Sequence, residues 1–291
     1  MCGIPQGMAP GCNRLRRNSK SCRQEIARSA VGLQGVNFKQ MHKKRIVGLF
    51  LVGFAMVSTS AHSQIPATAK QADSGAARNS EAEVWMFDQT TALGGHPTTV
   101  LGHPQVIESP YGKAVEFNGV DDALFVGVHP LAGVSAYTWE VIFRPDADGA
   151  PAQRFFHLQE QQPLTGKNTD NRMLFEIRIV NGQWCLDSFA SSNGNNRTLL
   201  NCKLLHPLGK WYRVTAVYDG KQLRNYVDDE LEGWGDLKLV PQLAGHTSVG
   251  VRINNLYWFK GAILMARMTR RALPVEQFLK MPPLAAKEPG K

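Results

Sequence analysis

Acidic side chains are almost absent from the first 63 positions, and that absence changes how the whole charge is read. The 291-residue chain carries 33 Lys/Arg against 24 Asp/Glu, a formal net charge of +9, which on its face suits nucleic acid or an anionic membrane. Residues 1–40, however, hold seven of the basic residues and one Glu, and residues 41–63 hold three more and no acid. That leaves 23 of each sign from Gln64 onward, so no nucleic-acid partner is expected. Cysteine is also scarce: of five, Cys2, Cys12 and Cys22 lie in the basic prefix at spacings that match no zinc pattern, and only Cys185 and Cys202 follow. No apolar run reaches the ~20 residues of a spanning helix. Nucleophile elbows, zincin helices and phosphate loops are missing too. Helical periodicity is confined to residues 274–279.

What is present divides the chain. Residues 41–63 read as a signal peptide. Met41-His42-Lys43-Lys44-Arg45 is the basic start, residues 46–57 the apolar run, and Ala61-His62-Ser63 the small-residue cleavage region. Residues 1–40 lack hydrophobic periodicity and read as an extension ahead of a true start at Met41. Residues 64–80 are a polar linker, residues 81–280 one all-β domain, and residues 281–291 a loose Pro/Lys/Ala tail. The expected location is secreted or periplasmic, with no membrane span after cleavage. Cysteine use agrees. Cys185 and Cys202 flank a polar stretch whose midpoint is Asn193-Gly194, so a hairpin turning there sets them opposite each other for a disulfide.

The domain reads as many short strands. Residues 211–218 are aromatic and β-branched, suited to a pleated, half-buried surface. Asp219-Gly220 is expected to form a two-residue turn into residues 223–227, and Asp228-Asp229 closes that strand. Residues 137–144 alternate, with Trp139, Val141 and Phe143 on one face and Thr138, Glu140, Ile142 and Arg144 on the other. Residues 172–180 do the same: Met173, Phe175, Ile177 and Ile179 against Arg172, Glu176 and Arg178. Asn181-Gly182 is a type I′ hairpin signal. Residues 89–110 are rich in Gly and Pro and read as a loop around an edge. Strands at such spacing with almost no helix predict an all-β, two-sheet antiparallel sandwich or jelly roll.

Three stretches carry a family resemblance. The run from Gly112 to Asp122 (GKAVEFNGVDD) with Tyr137 to Pro145 (YTWEVIFRP) resembles the opening of the laminin-G-like, concanavalin A-like jelly-roll domains. Lys210-Trp211-Tyr212-Arg213-Val214, with Val217-Tyr218-Asp219-Gly220 and Tyr226-Val227-Asp228, resembles the family's central hairpin. Phe259-Lys260-Gly261-Ala262-Ile263 and Arg271-Ala272-Leu273-Pro274 resemble its last strand and closing turn. Asp229 departs from the pattern, standing where Gly is usual, so a different turn or strain is expected there. The resemblance implies a carbohydrate- or protein-binding module, often with a calcium ion; relatives of the same architecture are glycoside hydrolases and polysaccharide lyases. Fold does not choose among these.

The candidate residues follow from the polar strand faces. If both strands lie in one concave sheet, Glu140, Arg144, Arg172, Glu176 and Arg178 line a groove of mixed charge, able to hold a sugar or uronate through bidentate arginine contacts. The alternative is an ordinary salt-bridged solvent face. Trp184 and Tyr226 are candidates to stack on a sugar ring, or else core aromatics. Asp88, Asp121 and Asp122 offer oxygen donors for calcium, though Asn118-Gly119-Val120-Asp121-Asp122 is also what a turn needs without any ion. A hydrolase needs two flanking carboxylates, and the paired-strand signature is absent; Glu230 and Glu232 look like solvated charges. His157, Gln159, Arg178, Tyr257 and Lys260 are the residue types of a lyase without its other motifs. The expected function is therefore an exported, non-catalytic binding module for a carbohydrate. The alternatives are a polysaccharide-degrading enzyme on the same scaffold, or a protein-binding component of the cell envelope.

Overall fold

Residues 81–285 are described by the computed structural model; the segments read from sequence as extension, signal peptide and linker, and the last six residues of the expected tail, lie outside the described residues. Two antiparallel sheets pack face to face. The eight-stranded sheet runs β15 (Glu230–Asp236), β14 (Gln222–Val227), β13 (Tyr212–Tyr218), β7 (Tyr137–Pro145), β17 (Lys260–Thr269), β5 (Gly112–Asn118), β4 (Gln105–Ser109), with β1 (Ala82–Met86) also on β17. The nine-stranded sheet runs β11 (Asn195–Leu200), β10 (Gln183–Ser192), β9 (Asn168–Val180), β8 (Ala152–Gln161), β16 (Gly245–Val249), β6 (Ala123–Val126), β3 (His96–Leu101), β2 (Ala92–Leu93), with β12 (His206–Pro207) on β10. A short 3-10 turn, Val275–Gln277, follows the last strand. The expected sandwich is thus present.

Alternation explains the inner faces. Tyr137, Trp139, Val141 and Phe143 of β7 and Met173, Phe175 and Ile177 of β9 all enter the core between the sheets. Phe155 lies there parallel to Phe143 (centroids 4.5 Å apart) and to Phe175 (5.6 Å). Ring stacking adds about 0.5–1.5 kcal/mol per pair to the area these side chains bury.

Turn chemistry sets the registers, with one shift from expectation. Asn181-Gly182 and Asn193-Gly194 both have positive φ at each residue, as two-residue hairpins demand. In the β13–β14 hairpin the central pair is Gly220-Lys221 rather than Asp219-Gly220. Gly220 has φ 94°, while Asp219 stands before it and its Oδ1 accepts the Lys221 and Gln222 N–H groups at 2.9 and 2.8 Å. Asp228 and Asp229 both take positive φ (46° and 77°), the strain expected where Gly is missing, and Asp229 is held by an ion pair to Arg213.

The segment read as a loop, residues 89–110, forms β2, β3 and β4 instead. Pro97 is accepted near the start of β3 because it has a ladder partner on one side only, Ala92 of β2; the pairing with β6 begins one residue later, at Thr98.

Cys185 and Cys202 are joined by a disulfide, Cα atoms 5.2 Å apart. The β10–β11 ladder reaches Asp187 opposite Leu200, and the bridge continues that register two residues further along each chain. The margins β11 and β15 also meet across the sandwich: the Arg197 guanidinium donates twice to the Asp236 carbonyl (3.0 and 2.7 Å), and Asn201 Nδ2 donates to the Glu232 carbonyl (3.2 Å).

Candidate functional site

The outward side of the nine-stranded sheet concentrates polar groups around a small apolar floor. Leu174 of β9 stands opposite Phe189 of β10, and one step along the strands Glu176 stands opposite Asp187. Two carboxylates facing each other repel; Arg178 bridges them, and Arg154 pairs with Glu176 alone. Arg178 Nε donates to Asp187 (2.8 Å) and its Nη2 lies 3.2 Å from Glu176. Arg154, from β8, places Nε 2.9 Å from the other Glu176 oxygen, close enough for an ion pair but misaligned for a hydrogen bond. Burial and the Asp187 charge push the Glu176 carboxyl up to about 7, against the pull of the arginines.

A bulge in β8 turns this face toward the loop of residues 250–259. The register slips between Arg154 and Phe156, so Phe155 and Phe156 both enter the core, and His157 beyond them points outward opposite Leu174 and Ser248. The loop is pinned over it: the Arg154 N–H donates to the Tyr257 carbonyl (2.9 Å), and the Ile253 N–H donates to His157 Nδ1 (3.0 Å). His157 must therefore carry its proton on Nε2, and burial keeps it neutral by pushing its pKa well down. Tyr257 is 44% exposed and held at φ 64°, a conformation costly for a bulky residue. The Arg154 guanidinium sits 3.7 Å from the centre of its ring, and Arg172 lies 4.9 Å from the Phe189 ring. With Arg252 from the same loop they border a depression of about 260 Å³.

The expected groove is therefore divided. Arg172, Glu176 and Arg178 do come together on β9, but Glu140 and Arg144 belong to β7 in the other sheet. Their outward sides point away from each other, because period-two alternation separates inside from outside without saying which sheet a strand joins. Glu140 is fully buried, accepting from Arg267 Nε and the Leu279 N–H at 2.6 Å each, and it anchors the C-terminal segment. Arg144 pairs with Asp146 and Glu116 (2.7 Å each) and lies 5.6 Å from the Trp211 ring centre. Trp184 is fully buried, edge-on to Phe143 and Tyr212, and so offers no ring to a ligand. Glu232, expected in solvent, is buried with its carboxylate 2.6 Å from His206 Nε2.

The Asp121-Asp122 stretch is a self-satisfied turn. The Asp122 carboxylate accepts the His103 and Asn118 N–H groups (2.7 and 2.9 Å), and Asn118 donates to Asp121. Asp88 is exposed after β1. Among the described residues no three His, Cys, Asp or Glu gather as a metal-ligand set. The turn borders the larger depression, about 430 Å³, which also takes in Lys260. Of the lyase residue types, Gln159 donates its amide to the Thr169 and Asn171 carbonyls, and Lys260 belongs to the opposite sheet.

Arg154, Phe189 and Arg252 carry no sequence signal that marks them as site residues. Their roles arise from the β8 bulge and from a loop without periodicity.

The chain matches a family model, described as the concanavalin A-like lectin/glucanases superfamily, over residues 118–277. No curated protein matches it. Among solved structures it is similar to domain 4 of an extracellular arabinanase from Geobacillus stearothermophilus, solved in complex with arabinotriose. Identity is 19% and the TM-score 0.50, over 67% of this chain and 94% of that one. It is similar also to the binding domain of a paraclostridial mosquitocidal protein, at 11% identity and a TM-score of 0.50, over 67% of this chain and 50% of that one. Likeness at such identities speaks for fold alone, and the fold is the one the two sheets and their strand order display. The chain belongs to the concanavalin A-like lectin/glucanases superfamily.

Proposed function

We propose that this protein is an exported, non-catalytic module that binds a carbohydrate on the outer side of its nine-stranded sheet. The observation that carries the reading is the exposed Tyr257 ring, fixed at φ 64° and backed by the Arg154 guanidinium at 3.7 Å, beside the depression over Leu174 and Phe189. A rigid aromatic face with arginine forks around it suits a sugar's apolar ring face and its hydroxyl groups. The fold also hosts a domain solved with arabinotriose.

A glycan array with the full chain, with and without calcium, tests this, paired with reducing-sugar and unsaturated-uronate assays on the hits. Binding without product release is expected, and Tyr257→Ala should weaken it about two- to tenfold, the scale of a lost stacking contact. Product release would replace the module reading with the enzyme one. Calcium dependence would bring Asp88, Asp121 and Asp122 back as ligands. Export is checked by N-terminal sequencing of secreted or periplasmic protein, and a chain that retains Arg14 would refute cleavage after residue 63.

A further inference from the structure

The charges around the depression do not balance. Arg154 and Arg178 are matched by Glu176 and Asp187 in close ion pairs. Arg172 and Arg252 border the same space, and among the described residues neither has a carboxylate partner. Arg172 donates one Nη to the Asp170 carbonyl (2.9 Å), while its Nε is buried with no acceptor among the described residues. His157, which feels the charge of both arginines, likewise leaves Nε2 buried and unpartnered. Buried donors without acceptors and two like charges without a counterion are costly arrangements, and one anionic group would relieve both. Burial and the Arg252 charge already pull the Arg172 guanidinium below its ordinary pKa, as expected where like charges face each other.

We propose that the site selects an acidic saccharide unit, whose carboxylate or sulfate group is taken up between Arg172 and Arg252 while its ring lies on the Leu174–Phe189 floor. This rests on the carbohydrate-binding reading and adds the ligand's charge to it. Guanidinium forks match planar carboxylates and the oxygens of sulfate in bidentate geometry. The volume, about 260 Å³, falls below the usual range of small-molecule clefts (roughly 300–1,000 Å³) and so suits one unit of a glycan rather than several.

Calorimetric titration of the full chain with four oligosaccharides tests the proposal: an oligogalacturonate, its methyl ester, a sulfated oligosaccharide and a neutral arabino-oligosaccharide. At least one acidic ligand should bind about tenfold or more tightly than the methyl ester and the neutral sugar, the scale of a charge-assisted contact. The arm that binds tells carboxylate from sulfate. Arg172→Gln with Arg252→Gln should abolish that preference, whereas Arg224→Gln, on the other sheet, should leave it intact. The double variant's thermal midpoint should change little, since neither arginine is ion-paired in the free protein and Arg172 loses only one backbone contact and its place over Phe189, which separates lost binding from lost folding. Equal affinity for acidic and esterified ligands, or an unchanged preference in the double variant, would overturn the charge inference alone if neutral sugars still bind in a Tyr257-dependent way. No binding of any oligosaccharide would overturn this inference together with the module reading.

Discussion

Replacing Glu176 by Gln should reverse the usual penalty of breaking an ion pair once the pH is high enough. In the folded protein this carboxyl is pushed up to about 7 from an ordinary 4.5, first by burial and then by Asp187, and Arg154 and Arg178 only partly offset the two. Between those values the native state holds a proton that the unfolded chain has lost. Stability from this group is therefore fully present below about pH 4.5 and declines as pH rises through 7. Each pH unit of the difference corresponds to about 1.4 kcal/mol, so the decline amounts to at most about 3 kcal/mol. Glutamine, the uncharged look-alike, does not titrate. The wild-type curve by itself is not a clean readout, because buried His129, pushed down to about 4, and His157 contribute in the opposite sense. Both are lower in the folded state, so their contribution grows as pH rises toward 6.5. The difference between wild type and Glu176→Gln cancels them. Urea unfolding of both proteins at pH 5 and pH 8 should show the variant near wild type at pH 5 and gaining a few kcal/mol relative to it by pH 8. Parallel stability profiles would refute the argument, and so would a variant that loses ground as pH rises.

Cys185→Ser or reduction removes a link spanning 17 residues and should cost about 3 kcal/mol by loop entropy; urea midpoints with and without reductant measure this. Phe155→Ala opens a hole between Phe143 and Phe175 and should cost about 3–5 kcal/mol, read as a large fall in thermal midpoint. A loss below 1 kcal/mol there would mean that the stack is looser than its parallel rings indicate.

The inner faces were legible from β7 and β9 because one side of each strand is uniformly apolar, and period two tolerates no slip. The cysteine pairing was legible for the same reason, since Asn193-Gly194 fixes the register on which Cys185 meets Cys202. The site was only half legible. Arg172, Glu176 and Arg178 alternate in sequence and do share a surface, but the same pattern on β7 led Glu140 and Arg144 to be grouped with them across the thickness of the sandwich. Sheet membership depends on long-range pairing that no local pattern states. Arg252 was hidden for another reason, and Tyr257 was legible only as a residue type suited to a lyase: their positions follow from two backbone hydrogen-bond donors, at Arg154 and Ile253, that tie the loop to β8. Asp219-Gly220 was displaced by one residue because an aspartate before a turn can accept the returning N–H groups instead of entering the turn.

The meeting of β11 and β15 has a bearing on self-association. An open sheet margin is a row of free donors and acceptors that another copy can extend, the first step toward fibres. Here the two margins on one side face each other, with Arg197 covering the Asp236 carbonyl and Asn201 the Glu232 carbonyl. An incoming strand finds those acceptors already occupied by side chains from the opposite layer. This flank is thereby shielded against polymerisation, although exposed Leu200, Leu231 and Trp234 lie along it.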